Sequence, residues 1–287
     1  MIYIHHSLFA LKVYLKESLN TMQLLFDAHI HLTDSEYSAY LNSIIANFRA
    51  MNIIACSVTV DIETTLRSFN LFNSVRDVVK QFVGIHPEAA VRENLEEFLE
   101  IYRSNLQYVD GVGEVGLDPA YEKNGSSYER QKEVFNAMLQ LAESTNKPIS
   151  IHSRNSLEDI LGILPSYTLE AVLLHWFAGS KRQLAKSMDM GLYVSYGPTL
   201  VYSEDKKVLL KHTDRDKFLV ETDGPIKYSR CFENLPSNSS SFLVSVIASC
   251  ARILDLSYEH AVQMLQRNSL TYLDGNNPLQ FRAAEYK

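Results

Sequence analysis

Eight short runs of apolar, β-favouring residues alternate along this chain with segments whose apolar residues recur at helical spacing. The runs fall at 24–26, 53–60, 80–85, 108–115, 148–151, 169–174, 191–195 and 218–220. Helical segments at 35–48, 62–72, 95–106, 127–145, 157–164 and 181–188 lie between them, and two more at 242–254 and 258–266 close the chain. Ser35 is placed to cap the first helix, and Leu66, Phe69 and Leu71 are expected to face inward from the second. Such alternation implies parallel strands joined by crossover helices. A count of eight favours a closed (β/α)8 TIM barrel over an open sheet, and 287 residues accommodate it as one domain. Residues 23–287 read as a single barrel domain. Residues 1–22 read as an N-terminal extension, either an extra helix or a misplaced start, since Met22 stands just before the first strand.

The polar residues gather where these strands end. Leu24-Leu25-Phe26 runs into Asp27, His29 and His31 at alternate positions, so a regular strand points all three the same way. Two imidazoles side by side suit a divalent metal, and a nearby carboxylate such as Asp27 can hold a histidine in its ligating tautomer. Later runs end in His86, Glu114, His152, His175 and Asp223. Five of the nine histidines thus end predicted strands, which is where a barrel builds its site. His212 and His260 read as ordinary helix residues, and His5 and His6 as exposed residues of the extension.

Imidazole with carboxylate suits zinc, manganese or iron, and carboxylate with a substrate phosphate also admits magnesium. Six protein ligands are too many for one open catalytic ion and fit two divalent ions sharing a carboxylate. Glu114, ending the fourth strand opposite the first, is the natural bridge. Two ions about 3.5–4 Å apart polarise a phosphoryl oxygen and acidify a bridging water.

The composition narrows the partners. Apolar residues make up 46% of the chain and charged residues 21%, with a formal net charge of −7. That balance argues against a broad basic surface coating nucleic acid, but not against a small pocket gripping phosphate through metal ions. Cys56, Cys231 and Cys250 form no C-x-x-C and read as isolated thiols of a reducing, cytoplasmic protein. No run reaches the roughly eighteen apolar residues of a membrane span. No secretory signal and no obligate protein partner is evident.

The motifs, in order, are Asp27-Ala28-His29-Ile30-His31, Gly84-Ile85-His86-Pro87, Gly113-Glu114-Val115-Gly116-Leu117-Asp118, Ile151-His152-Ser153-Arg154, His175-Trp176-Phe177-Ala178-Gly179 and Glu221-Thr222-Asp223-Gly224-Pro225. This series resembles the TatD family of metal-dependent hydrolases, within the amidohydrolase-like barrels, and spans about residues 24–273. The resemblance implies a nuclease, typically a deoxyribonuclease trimming DNA from its 3′ end, most plainly a single strand. It implies that His29, His31, Glu114 and Asp223 hold one ion and that Glu114, His152 and His175 hold the second. Asp223 would also act on the nucleophilic water, and His86 would contact substrate phosphate or a metal-bound water. The chain departs from the family pattern at Glu88, at Pro119-Ala120-Tyr121 and at Trp176-Phe177-Ala178, all expected at the substrate rim.

Arg154, two residues past a candidate ligand, is placed to grip phosphate, or to form a rim salt bridge. Trp176, the one tryptophan, is placed to stack a base or to pack beneath its loop. Asp118 reads as a loop-fixing or water-orienting carboxylate, and Asn268 as a structural cap. Two alternatives to the nuclease stay open: an amidohydrolase-like enzyme cleaving a small amide, ester or lactone, and a metal-binding barrel without activity.

Overall fold

The computed structural model describes residues 23–122, 126–228, 230 and 237–274. Its strands are β1 (Leu25–Ile30), β2 (Ile53–Val58), β3 (Val79–Val83), β4 (Gly111–Gly116), β5 (Ile149–His152), β6 (Val172–Leu174), β7 (Tyr193–Tyr196) and β8 (Phe218–Val220). They stand in chain order in one sheet, every ladder parallel. The ring is completed just past β8, where Asp223 N donates to His29 O at 2.9 Å and His31 N donates to Gly224 O at 2.8 Å. This is the (β/α)8 TIM barrel that the alternation implied.

The helices are α1 (Leu41–Met51), α2 (Ile62–Phe72), α3 (Leu95–Ser104), α4 (Ser126–Thr145), α5 (Leu157–Ile163), α6 (Lys181–Asp189), α7 (Glu204–Lys211), α8 (Ser239–Ile253) and α9 (Tyr258–Asp274). Ile53, Ala55, Val79, Val83, Ile149, Ile151, Val172, Leu174 and Val220 belong to the large core in which the helices cover the sheet. The alternate positions Cys56, Val58, Phe82, Leu173, Tyr193 and Leu219 form a separate cluster facing the barrel axis. Tyr272 of α9 joins it, 6.1 Å from Phe82 and 5.6 Å from Tyr193 between ring centres. The axis is therefore packed below, and a pocket can open only at the strand ends.

Several local expectations give way. Asp34, not Ser35, accepts from Glu36 N and opens a short 3-10 turn at Ser35–Tyr37, and the first helix begins only at Leu41. Leu66 is 44% exposed; the inward face of α2 is Thr65, Ser68, Phe69 and Phe72, with Thr65 bonded to Thr59 and Ser68 to Gln81 through their hydroxyls. Those two hydroxyls bury because partners wait for them, which apolar spacing does not signal. Helix α7 went unforeseen, since its eight residues bury only Leu209 and Leu210. The last helix runs on to Asp274, eight residues past the expected end at 266. The extension at 1–22, with His5 and His6, lies outside the described residues, as does Cys231. Among the described residues no helix is long and apolar enough to cross a membrane.

Candidate metal centre

The strand ends open into a cleft of about 810 Å³, lined among others by His31, His86, Glu114, His152, His175 and Asp223. His29 lies beneath them, fully buried. All seven strand-end residues read from the sequence therefore meet at one rim.

Glu114 stands at the centre, and its two oxygens divide the histidines. Oε2 is 3.3 Å from His29 Nε2 and 3.3 Å from His31 Nε2. Oε1 is 2.7 Å from His175 Nε2, 2.9 Å from His152 Nδ1 and 3.5 Å from His86 Nε2. Asp223 Oδ1 closes the first group, 3.4 Å from His31 Nε2 and 3.7 Å from His29 Nε2. A small residue makes the crowding possible: at Gly116, with φ +146°, a side chain would run into the His152 carbonyl.

The donor set suits a cation. His29 Nε2 is buried, has no hydrogen-bond partner and faces two carboxylate oxygens. A lone pair so placed is costly unless something positive takes it. Ligand atoms of three overlapping sets converge within 4.8 Å: His29, His31 and Glu114; His29, His175 and Asp223; His86, Glu114 and His152. In the third set His86 is a weaker donor than its position suggests. Its Nδ1 accepts from Glu88 N at 3.3 Å, so the neutral ring keeps its hydrogen on Nε2 and offers an N–H to the cleft.

Protonation follows from the crowding. Burial pushes His29 and His86 down to about 4, leaving neutral rings near pH 7. Burial also opposes charge on Glu114, but the imidazoles of His175, His86, His29 and His152 outweigh it and hold the carboxyl well below its usual range. At His152 burial is overcome by Asp118 and Glu114, raising it to about 9. His31 and His175 are raised against burial too, chiefly by Asp223 and Glu114 for the first and by Glu114 for the second.

A further layer of residues orients these rings. Ser150, two positions before His152 and on the same face of β5, lies 2.9 Å from His29 Nδ1 through its hydroxyl. That task had been expected of Asp27. Asp27 instead clamps the barrel seam, accepting from Thr222 N at 2.9 Å and from the Thr222 hydroxyl at 2.5 Å. The β1–β2 register shifts between Asp27 and Ile30, so the strict alternation assumed for β1 does not hold. Glu221 is fully buried and accepts from Ser195 Oγ at 2.5 Å and Trp176 N at 2.8 Å, with His175 Nδ1 3.9 Å away. Burial raises its carboxyl to about 8. Sequence reasoning gave neither Ser150 nor Glu221 a task. Strand alternation from His152 points to the first, and the same two-residue spacing before Asp223 was the signal for the second. Trp176 and Asp223 both adopt the left-handed region, with φ 42° and 50°. For residues other than glycine such geometry costs about 1–3 kcal/mol and is held by its surroundings, here by the hydrogen bonds at Trp176 N and Asp223 N.

The rim residues divide. Arg154, about half exposed, is paired with Asp118 and lies 5.4 Å from the Tyr121 ring. Trp176 is half-buried in the cleft wall, 5.7 Å from Tyr228 between ring centres. Asp118 both fixes its turn, accepting from Ala120 N, and reaches the site. Asn268 is a staple far from the cleft rim's chemistry, donating to Arg215 O and Phe218 O at 2.9 Å each.

Known proteins resemble this chain over most of its length. The family model described as TatD related DNase matches residues 26–274. An uncharacterized metal-dependent hydrolase of Bacillus subtilis, YabD, is 30% identical over 252 residues, covering 86% of this chain and 97% of that one. A 3′-5′ ssDNA/RNA exonuclease, TatD, of Edwardsiella piscicida is 27% identical over 242 residues, covering 79% and 91%. Among solved structures, the TatD homologue YjjV of Escherichia coli superposes with a TM-score of 0.78 at 21% identity, covering 88% of this chain and 98% of that one, a likeness of fold.

Proposed function

The chain belongs to the TatD-related DNase family, and on that premise we propose that it is a metal-dependent phosphodiesterase that shortens single-stranded DNA from the 3′ end. The observation that carries the reading is the division of the histidines between the two oxygens of Glu114. A carboxylate so flanked fits two cations better than one. His29, His31, Glu114 and Asp223 would hold the first ion, and Glu114, His152 and His175 the second. Imidazole-rich donors favour zinc or manganese, with magnesium admitted beside a substrate phosphate. The chemistry such ions supply is Lewis acidity toward a phosphoryl oxygen and a water acidic enough to attack near neutral pH.

The chain's own residues do the rest. Asp223, at the cleft mouth, orients the attacking water and accepts its proton. His86 donates its Nε2–H to a phosphate oxygen, a part suited to a ring that stays neutral. Arg154 offers a planar donor to the next phosphate, and Trp176 a face for the terminal base. The free, buried thiols of Cys56 and Cys250 accord with a cytoplasmic setting.

The test is to incubate metal-loaded protein with end-labelled single-stranded DNA and, separately, with a panel of small esters, amides and lactones. Stepwise shortening from the 3′ end is expected. Turnover of a small ester or lactone with DNA untouched would transfer the same centre to small-molecule hydrolysis.

A further inference from the structure

Away from the candidate metal residues, the charges lining the cleft give a long polyanion no advantage. Outside the candidate metal residues, the described lining carries the carboxylates of Asp34, Glu36 and Glu88 and the cations of Arg154 and Lys227. Both cations are already engaged, Arg154 Nε at 2.7 Å from Asp118 Oδ2 and Lys227 Nζ at 2.9 Å from Glu36 Oε1. The Asp34 carboxylate caps the turn, accepting from Glu36 N at 2.8 Å. Beyond the rim the chain as a whole carries a formal −7.

A strand leaving this cleft brings one phosphate per nucleotide. Affinity for long nucleic acid comes from phosphates neutralised by Lys and Arg, with counterions released for each. Among the described lining residues Lys227 is held by Glu36 and Arg154 shares its charge with Asp118, so the lining adds no more than the one phosphate contact of Arg154, and the carboxylate of Glu88 works against a longer track. The volume agrees: about 810 Å³ is that of a pocket for one compact ligand, within the usual range of about 300–1,000 Å³. A groove that tracks a strand instead engages about 4–16 nucleotides on a single fold.

We infer that the centre acts on dinucleotides and the shortest oligonucleotides as well as on longer strands, binding only the terminal residues. Glu88 is the rim charge that denies a longer strand any advantage. The inference rests on the nuclease reading above. It changes the substrate from DNA as a polymer to the ends and fragments of nucleic acid.

The experiment measures kcat/KM for a series from dinucleotide to a strand of about 20 nucleotides, at several salt concentrations. Binding of the labelled strands to Asp223→Asn protein, followed by fluorescence anisotropy, gives a second readout. Across the series kcat/KM is expected to stay within about threefold. The slope of log affinity against log salt is expected to be no steeper than about −1.4, the value for two phosphates of a single strand at about −0.7 each. Glu88→Lys should shift preference toward the long strand and steepen that slope by about 0.7. A tenfold or greater preference of the unaltered protein for the long strand, with a slope beyond about −3, would overturn the inference and leave the nuclease intact. An unchanged length preference in Glu88→Lys would remove the rim charge as its cause. Failure to cleave any length, with small esters turned over, would remove the nuclease reading and this inference with it.

Discussion

Asp118 Oδ2 lies 2.8 Å from His152 Nε2, on the ring nitrogen opposite the one that faces Glu114. The same oxygen lies 2.7 Å from Arg154 Nε, so one buried carboxylate ties a candidate ligand to a candidate phosphate grip. A carboxylate behind a ligating histidine fixes its tautomer and makes it more basic, and losing it typically costs 10–100-fold in metal affinity. Asp118→Asn is therefore expected to weaken one of the two proposed ions by about that factor, with the other unaffected and the melting temperature little changed. Metal titration by calorimetry would show this; two unaltered sites would reduce Asp118 to a turn-fixing residue.

Glu114→Gln is expected to bring bound metal below two ions per chain. A neutral amide is a poor bridge between cations, yet it is nearly isosteric among these histidines, so the protein should remain folded. Elemental analysis of the purified variant decides it. Full occupancy of both ions would take the bridging role from Glu114.

Asp223→Asn keeps the shape of the cleft mouth and removes the proton acceptor. Turnover is expected to fall by about 10²–10⁴, the usual contribution of a general base. Measured on one preparation, lost turnover with two bound ions and an intact melt points to proton transfer, and lost metal points to ligation. Near-normal turnover overturns the assignment.

Metal loading should release protons. In the metal-free protein His152 is raised to about 9 and is protonated at pH 7, yet it must give up its proton to ligate through Nδ1. Apparent metal affinity is therefore expected to rise with pH and to level off above about 9. Calorimetry at pH 7 in buffers of different ionisation enthalpy should report roughly one proton released from this site. Proton uptake, or none exchanged, would contradict the charged state assigned to His152.

Trp176→Leu is expected to raise KM for oligonucleotides more than it lowers kcat. A base stacked on an aromatic ring contributes about 1–3 kcal/mol, and an indole ring takes no part in the proton transfer. The reverse split would make Trp176 a support for His175 and Glu221 rather than a stacking surface.

Much of this molecule was legible along the chain. Alternation of apolar runs with helical segments is local, and it located all eight strands, with ends displaced by a few residues. Strand ends are where a parallel barrel collects its polar residues, so His29, His31, His86, Glu114, His152, His175 and Asp223 could be assembled before any contact was known. The errors sit where packing overrides periodicity: Leu66 turned outward, Thr65 and Ser68 turned inward onto waiting partners, and α7 too short to announce itself.

What the chain determined by itself was the set of side chains and the rim on which they stand, because residue type and period are local properties. Tertiary structure alone decided how they face one another. Ser150 reaches His29 across 121 residues, and Thr222 reaches Asp27 across 195. The β1–β2 register shift takes Asp27 out of the ligand row. Closing the barrel brings β8 beside β1 and sets Glu114 between histidines from strands far apart in sequence. No spacing rule encodes those distances. They are fixed by strand register and ring closure, which exist only once the whole sheet has formed.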